Sequence, residues 1–138
     1  MKALADLNIL LDLMLDRQPW AADAAALWQA HQDCRLELLV ASFTVPTLFY
    51  IVRRHKDLAA GHTAVKSVLT TLTIVPVDRA TLQLACSFTG SDFEDNLQIA
   101  CAAQAQVDAI ITRDSKDFSG SSIPIWTPTE ALTHLPST

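Results

Sequence analysis

The sequence predicts a three-layer α/β/α domain with a mainly parallel central sheet. Short apolar segments alternate with helical patterns along the whole chain, and these segments are continuously hydrophobic rather than alternating with polar residues. Continuous hydrophobicity is expected where helices cover both faces of a sheet. A length of 138 residues, half of them hydrophobic, suits one domain with a substantial core. We place that domain at residues 1–133, with a short C-terminal tail over residues 134–138.

Four elements are predicted in the first third of the chain. Residues 2–5 are mostly apolar and end at an aspartate, which predicts a buried strand, and the apolar run Asn8–Leu15 predicts a short helix or turn. Apolar residues then recur at helical spacing over Trp20–Gln32, so this segment is expected to form an amphipathic helix. The compact apolar run Leu36–Ala41 predicts the second strand.

The middle of the chain predicts two helices, a strand and a further helix. A serine or threonine is available to cap a helix over about Val45–Lys56, and Pro46 is tolerated in its first turn. Gly61–Leu72 places its large apolar residues on one helical face. Thr73–Val77 is short and rich in β-branched residues, and Asp78 is suited to cap a helix that ends near position 87.

The last third of the chain repeats the alternation. A helix is expected over Asp92–Gln106, followed by a short buried strand within Asp108–Thr112. After a polar loop, Ile123–Trp126 predicts the last strand. Residues 127–130 read Thr-Pro-Thr-Glu, which is a capping box that begins a short helix.

Composition limits the possible functions. Lys plus Arg is 10 and Asp plus Glu is 15, so the net charge of -5 argues against binding nucleic acid through bulk charge. The longest segment without a charged residue, Leu38–Val52, is too short to span a bilayer, so no membrane association is expected. Three cysteines without a CxxC pair suit a reducing compartment, and we expect a cytoplasmic protein.

Polar and acidic side chains follow the predicted strands. The carboxyl ends of parallel strands meet at one edge of a sheet, which is where ligands bind in open α/β folds. Asp6 ends the first strand, Ser42 follows the second, and Thr112, Arg113 and Asp114 follow the Ala-Ile-Ile strand. The acids that this edge can bring together number six: Asp6, Asp92, Glu94, Asp95, Asp114 and Asp117. Without them, nine acids face 10 basic residues, so the negative charge is predicted to be mostly local.

Converging carboxylates predict a metal site. Two of them about 4 Å apart repel by about 4 kcal/mol at an effective dielectric constant of 20, so several require a cation or shared protons. Oxygen ligands select Mg²⁺ or Mn²⁺ over zinc, and such ions support phosphodiester hydrolysis. The alternative is structural: acids in a first helical turn stabilise the helix, and Asp117 can be an ordinary turn residue.

Three motifs in order resemble those of PIN domains, the nuclease fold of VapC-type toxins. They are Ala-Asp-Leu-Asn-Ile-Leu-Leu-Asp at 5–12, Asp-Phe-Glu-Asp-Asn-Leu-Gln-Ile-Ala-Cys-Ala at 92–102, and Ala-Ile-Ile-Thr-Arg-Asp-Ser-Lys-Asp-Phe at 109–118. The closing segment Ile-Pro-Ile-Trp-Thr-Pro-Thr-Glu-Ala-Leu at 123–132 also resembles the last strand and helix of that family. The resemblance implies a ribonuclease that depends on Mg²⁺ or Mn²⁺.

Carried over residue by residue, the resemblance implies that Asp6, Asp95 and Asp114 are the principal catalytic metal ligands. Asp117 and Asp92 would be further metal-site acids, and Asn8 would orient Asp6 or contact the substrate. The remaining side chains expected beside the metal or the substrate are Glu94, Ser42, Thr47, Thr112, Arg113 and Lys116. The last two are candidates for steering a phosphate backbone. The resemblance also implies an RNA substrate and a small antitoxin partner, and we expect a homodimer.

One position departs from the family pattern. Many members carry a Glu in the helix after the second strand, where this chain has Thr47 and no acid nearby. Either Asp92 or Glu94 supplies the missing acid, or metal affinity is lower, or the protein is not an active nuclease. The alternative function is therefore a binding module that holds RNA or a protein without cleaving. A phospho-acceptor receiver domain is disfavoured because Asp6 lacks the adjacent acid that its first strand requires.

Overall fold

All the predicted strands and helices are present in the computed structural model, which describes residues 1–137; Thr138, in the predicted tail, lies outside the described residues. The strands are β1 (Lys2–Ala5), β2 (Glu37–Ala41), β3 (Thr73–Val75), β4 (Ala109–Ile111) and β5 (Ile125–Trp126). The helices are α1 (Leu7–Met14), α2 (Ala21–Gln32), α3 (Thr44–His55), α4 (Leu58–Thr71), α5 (Arg79–Cys86), α6 (Phe93–Ala105) and α7 (Pro128–Thr133). A single 3₁₀ turn at Ser115–Phe118 follows β4.

The five strands form one sheet in the order β3-β2-β1-β4-β5, and each neighbouring pair is parallel. In the centre of the sheet, Leu4 of β1 pairs with Leu39 of β2 on one side and with Ile110 of β4 on the other. The chain crosses from β1 to β2 and β3, and then returns past β1 to β4 and β5. The predicted parallel sheet is confirmed.

Each face of the sheet has its own helical layer. Ala3 and Val40 belong to one core cluster, which they share with buried residues of α1, α2, α3, α4 and α7. The alternate strand residues Leu4 and Ile110 belong to a second cluster, with buried residues of α6 and with Phe118 of the 3₁₀ turn. Because successive strand residues point to opposite faces, both sets are apolar and the strands are continuously hydrophobic. The predicted three-layer arrangement is confirmed.

Helix α4 begins earlier than the sequence pattern indicates. Its first residue is Leu58 rather than Gly61, because the Asp57 side chain caps the helix by accepting from the Ala60 backbone N–H at 2.8 Å. Gly61 lies inside the first turn, where an added Cβ would come within 3.1 Å of the Phe49 ring. The glycine therefore allows α3 and α4 to approach closely rather than marking a helix boundary.

The predicted capping box at the C-terminus is present. The Thr127 hydroxyl accepts from the Glu130 N–H at 3.2 Å, and the Glu130 carboxylate accepts from the Thr127 N–H at 2.8 Å. After α7, the His134 ring stacks on Trp126 with ring centres 4.0 Å apart, and Leu135 packs against the core. The predicted end of the domain at residue 133 stays a prediction, although these two residues of the tail contact the domain.

Three strands end at the same edge of the sheet. The backbone N–H of Asp6 donates to Ile111 at 2.9 Å and that of Thr112 donates to Trp126 at 3.0 Å, so the hydrogen-bond ladder runs to the last residue of each strand. Ser42 continues β2 in the same way. This edge therefore presents the residues that follow β1, β2 and β4. Within residues 1–137, no helix has the length and apolar character needed to cross a bilayer.

Candidate active site

Four donors surround the Asp6 carboxylate at the end of β1. Its Oδ1 accepts from the Leu7 N–H at 2.8 Å and from the Gln98 side chain at 3.1 Å. Its Oδ2 accepts from the Thr112 hydroxyl at 2.8 Å and from the Asn8 amide at a longer 3.5 Å. Asp6 also caps α1, so its backbone and side chain are both fixed.

Thr112 connects the ends of β1 and β4. Its fully buried hydroxyl donates to Asp6 and accepts from the Asp114 N–H at 3.0 Å. The Asn8 amide reaches the Asp114 carboxylate at 3.1 Å and Thr112 at 3.3 Å. Asp6 and Asp114, which are 108 residues apart in sequence, are therefore held beside each other by two shared hydrogen-bonding partners. Two predicted positions, Asn8 and Thr112, thus have a definite structural role.

Asp95 enters the same site from the first turn of α6. The Asp92 side chain caps this helix by accepting from the Asp95 N–H at 3.2 Å. Burial raises the pKa of Asp95 to about 6, and the neighbouring carboxylates of Asp92, Asp117, Asp6 and Glu94 contribute in that order. Asp6 and the predicted acids of α6 and of the 3₁₀ turn are therefore close enough to Asp95 to disfavour its charged form.

Asp95 lies between two concavities of different size. The smaller, of about 80 Å³, is also lined by Asp6, Thr47 and Glu94. The larger is a groove of about 530 Å³, which is also lined by Asp92, Lys116 and Asp117. Thr47 therefore faces the carboxylates from the first turn of α3, where its predicted position placed it, and Glu94 shares its cavity.

The loop between α5 and α6 forms one wall of the larger groove. The Asn96 side-chain amide donates to the Gly90 carbonyl at 2.9 Å, and both residues line the groove. A Cβ at position 90 would clash with the side-chain oxygen Oδ1 of Asn96, so glycine allows this contact without movement of the Asn96 side chain. The wall is thereby tied to the helix that carries Asp95.

The donor set fits a hard divalent cation, although the acids do not yet surround one point. Within residues 1–137, no three His, Cys, Asp or Glu side chains are arranged to bind one metal ion as they stand. Asp114 and Asp117 are exposed, so their side chains have room to rotate toward Asp6 and Asp95. The available ligands are carboxylate oxygens, which is the chemistry that Mg²⁺ and Mn²⁺ prefer. A cation would also offset the burial and the repulsion that raise the pKa of Asp95.

Two predicted positions have a weaker or different role. Ser42 is half-buried at the end of β2, and within the described residues its hydroxyl makes no hydrogen bond to the carboxylates. Arg113 is an ion-pair partner: its Nε and Nη2 donate to Asp12 of α1 at 2.6 Å and 3.1 Å. Its guanidinium also lies 3.8 Å from the centre of the Trp20 ring. Arg113 therefore ties the loop after β4 to α1 and α2.

Asp12 is a structural residue that the sequence reasoning did not assign. Its side chain is 1% exposed, and a carboxylate so deeply buried needs a partner. The available signal was its position in the apolar run that forms α1, where an unpaired charge would be costly.

Gln98 is the second residue that the sequence reasoning missed. It is 4% exposed, and while its amide nitrogen donates to Asp6, its Oε1 is buried without a hydrogen-bond partner in the described chain. Leaving such an oxygen unsatisfied costs about 1–3 kcal/mol. The signal was a polar residue within an apolar helix, four positions after Glu94 and therefore on the same face.

Comparison with known proteins gives a family and a set of structural neighbours. The family model for the PIN domain matches residues 2–116, and no curated protein sequence matches the chain significantly. A toxin–antitoxin complex from Klebsiella pneumoniae has a chain with 22% identity and a TM-score of 0.69, and the match covers 91% of this chain and 97% of that one.

Two further structures have the same fold at lower identity. The sarcin–ricin loop cleaving toxin VapC20 of Mycobacterium tuberculosis matches with 14% identity and a TM-score of 0.70, covering 88% of this chain and 95% of that one. FitAcB from Neisseria gonorrhoeae matches with 17% identity and a TM-score of 0.68, covering 92% and 98%. At these identities the neighbours show a shared fold, while the family model spans most of the chain. The strand order and the acids at the sheet edge agree with the family match. Because the family model matches residues 2–116, the chain belongs to the PIN domain family.

Proposed function

We propose that this protein is an endoribonuclease that uses Mg²⁺ or Mn²⁺ to hydrolyse phosphodiester bonds of single-stranded RNA, and that it is the toxin of a toxin–antitoxin pair. The observation that carries the proposal is the edge of the sheet where Thr112 and Asn8 join Asp6 to Asp114 and where α6 adds Asp95. Family membership supports a nuclease in general terms, and the neighbours include a toxin that cleaves the sarcin–ricin loop and a toxin–antitoxin complex.

The proposed metal ligands are Asp6, Asp95 and Asp114, with Asp92 and Asp117 as nearby acids. When bound, the metal lowers the pKa of the attacking water and neutralises charge on the phosphate. Thr112 and Asn8 keep the carboxylates of the two strand ends beside each other, so that side-chain rotation, without movement of the backbone, is proposed to bring them to one cation.

The larger groove is the proposed path of the RNA. It begins at Asp95 and Asp117, and Lys116 supplies a cation on its wall. Because Arg113 is paired with Asp12, we assign the contact with the phosphate backbone to Lys116. Binding through one groove is compatible with a net charge of -5, since it does not depend on the charge of the whole surface.

The proposed protein partners are an antitoxin and a second copy of this chain. The apolar residues 48–52 of α3 point in different directions. Leu48 and Val52 are core residues, whereas Tyr50 is 61% exposed. On the neighbouring helix α4, Leu58 is 50% exposed and Leu69 is 56% exposed. Exposed large apolar side chains on two packed helices support an interface. Light scattering of the purified chain, alone and with the antitoxin, tests both partners.

The second candidate is a binding module that holds RNA without cleaving it. Thr47 favours this candidate, because a hydroxyl faces the carboxylates where a metal site would gain from a charged ligand. The two candidates predict the same RNA binding and differ in turnover.

Cleavage of a labelled single-stranded RNA by the purified full chain distinguishes them. We expect cleavage with millimolar Mg²⁺ or Mn²⁺ and none with EDTA. Asp6→Asn and Asp95→Asn should each slow cleavage by about 100-fold or more, because each removes a carboxylate from the metal site. Glu37→Gln removes a carboxylate from the start of β2, at the opposite edge of the sheet, and should leave the rate unchanged. RNA binding without cleavage, with either metal, would establish the binding module instead.

A further inference from the structure

The smaller cavity has an unequal distribution of charge. On the α3 side it is lined by Phe43, Thr44 and Thr47, none of which carries a charge. On the opposite side its charges come from Asp6 at the end of β1 and from the first turn of α6. Any acid that completes a cation site in this cavity must therefore come from α6.

Besides Asp6 and Asp95, the acid that lines this cavity is Glu94 of α6. Asp92 and Asp117 line the larger groove, on the other side of Asp95. Glu94 is exposed, so its side chain is free to rotate into the cavity that it lines. With Glu94 the cavity contains three carboxylates, and without it only two.

Gln98 is an independent sign that this cavity accepts a ligand. It lies one helical turn beyond Glu94 on the same face of α6 and lines the cavity. Its nitrogen donates to Asp6, but its carbonyl oxygen is buried and has no partner among the described residues. An unpaired acceptor oxygen on a residue that lines a cavity with three carboxylates suits a cation or the water that a cation carries.

We propose that Glu94 supplies the carboxylate that α3 lacks at Thr47, so that Asp6, Asp95 and Glu94 share a divalent cation in the smaller cavity while Gln98 positions Asp6. This inference rests on the proposed function and adds Glu94 to the metal ligands named there. In this arrangement the acid is contributed by α6 instead of α3, on the opposite wall of the same cavity.

Binding of Mn²⁺ to the metal-free full chain, measured by the loss of the free-ion signal in electron paramagnetic resonance, tests the assignment without an activity readout. We expect Glu94→Gln to weaken Mn²⁺ binding by about tenfold or more. Adding Thr47→Glu to Glu94→Gln should restore most of the affinity, because it returns a carboxylate to the same cavity from the α3 side. Both positions are exposed, so the variants are expected to fold, and circular dichroism checks this. Glu37→Gln is the matched control and should bind Mn²⁺ as the wild type does.

The outcomes separate this inference from the proposed function. If Asp6→Asn abolishes Mn²⁺ binding while Glu94→Gln binds as the wild type does, the metal site stands and the assignment of Glu94 is wrong. If Asp92→Asn weakens binding as strongly as Glu94→Gln, the loss is one of general negative charge, and the assignment is also wrong. If the wild type binds no Mn²⁺ at millimolar concentration, both the assignment and the metal-dependent function are contradicted.

Discussion

Replacing Asp95 by asparagine should stabilise the metal-free protein at neutral pH. Burial raises the pKa of the Asp95 carboxyl from its ordinary 3.8 to about 6, and the negative charges of Asp92, Asp117, Asp6 and Glu94 add to the shift. The N-terminus of α6 favours a negative charge at this position by a few tenths to about 1 kcal/mol, but the pKa still rises. Desolvation and repulsion therefore outweigh the helix dipole.

The sign and the size of the effect follow from the shift. The folded state holds the Asp95 proton more tightly than the unfolded chain does, so stability falls as the pH rises from 3.8 through about 6. A shift of this size corresponds to roughly 3 kcal/mol for a fully desolvated group, and solvent screening of the half-buried Asp95 reduces it to about 1–2 kcal/mol. Asparagine removes the charge, so the penalty disappears at neutral pH.

Urea denaturation in EDTA measures the difference. At about pH 7.5, Asp95→Asn should raise the free energy of unfolding by about 1–2 kcal/mol, and most of this gain should be lost by about pH 4. Millimolar Mg²⁺ should stabilise the wild type more than the variant, because the cation offsets the same repulsion. Glu37→Gln controls for the loss of a carboxylate elsewhere. A variant that is no more stable than the wild type at neutral pH would refute the reasoning.

Three further predictions concern buried polar contacts. Arg113→Met leaves the Asp12 carboxylate without a partner and should lower the free energy of unfolding, measured by urea denaturation, by about 3 kcal/mol. Adding Asp12→Leu should recover part of that stability, and a double variant that is still less stable would contradict this. Thr112→Val removes the hydroxyl that donates to the Asp6 carboxylate and accepts from the Asp114 backbone N–H, and it should cost about 1–3 kcal/mol in the same titration and slow RNA cleavage. Thr112→Ser should retain both properties, and equal behaviour of the two variants would argue against the hydroxyl. The His31 ring accepts from the Leu38 N–H at 2.9 Å, so His31→Phe should cost about 1–2 kcal/mol and speed hydrogen exchange of that amide; unchanged exchange would show that the contact does not protect it.

The layout of the sheet could be predicted because a polar residue directly follows β1, β2 and β4. Asp6 directly follows the apolar strand β1, and Asp114 lies shortly after the apolar strand β4. Parallel strands bring such ends to one edge of the sheet. The predicted start of α4 at Gly61 was wrong because glycine is typical of helix boundaries. In the structure, the missing side chain of Gly61 instead makes room for the Phe49 ring. Which role a glycine has depends on the neighbouring helix, and this is a property of tertiary packing.

The structural partners could not be predicted from local patterns. Asp12 and Arg113 are 101 residues apart, and Gln98 and Asp6 are 92 apart. The sequence indicates that Asp12 is a charged residue in an apolar run, but only the fold shows that Arg113 is its ion-pair partner. For the same reason Arg113 was a candidate for phosphate binding, and its ion pair became visible only once α1 and the loop after β4 were placed together.

The net charge of -5 has a local origin in this fold. The neighbours that raise the pKa of Asp95 are four of the six acids that the sequence places at this edge. Asp114 is joined to the same group through Asn8 and Thr112. The acidic composition therefore argues against binding RNA through bulk charge, and it is compatible with a nuclease whose carboxylates are neutralised by a metal.

Whether Asp6, Asp95 and Asp114 serve one divalent-cation site is tested most directly by anomalous diffraction from crystals grown with millimolar Mn²⁺ at neutral pH. The predicted result is an anomalous peak at the sheet edge, about 2.1 Å from carboxylate oxygens of this group, and its loss in Asp95→Asn crystals. No peak at this edge, or a peak with neither Asp6 nor Asp95 among its ligands, would contradict the metal site and with it the proposed ribonuclease.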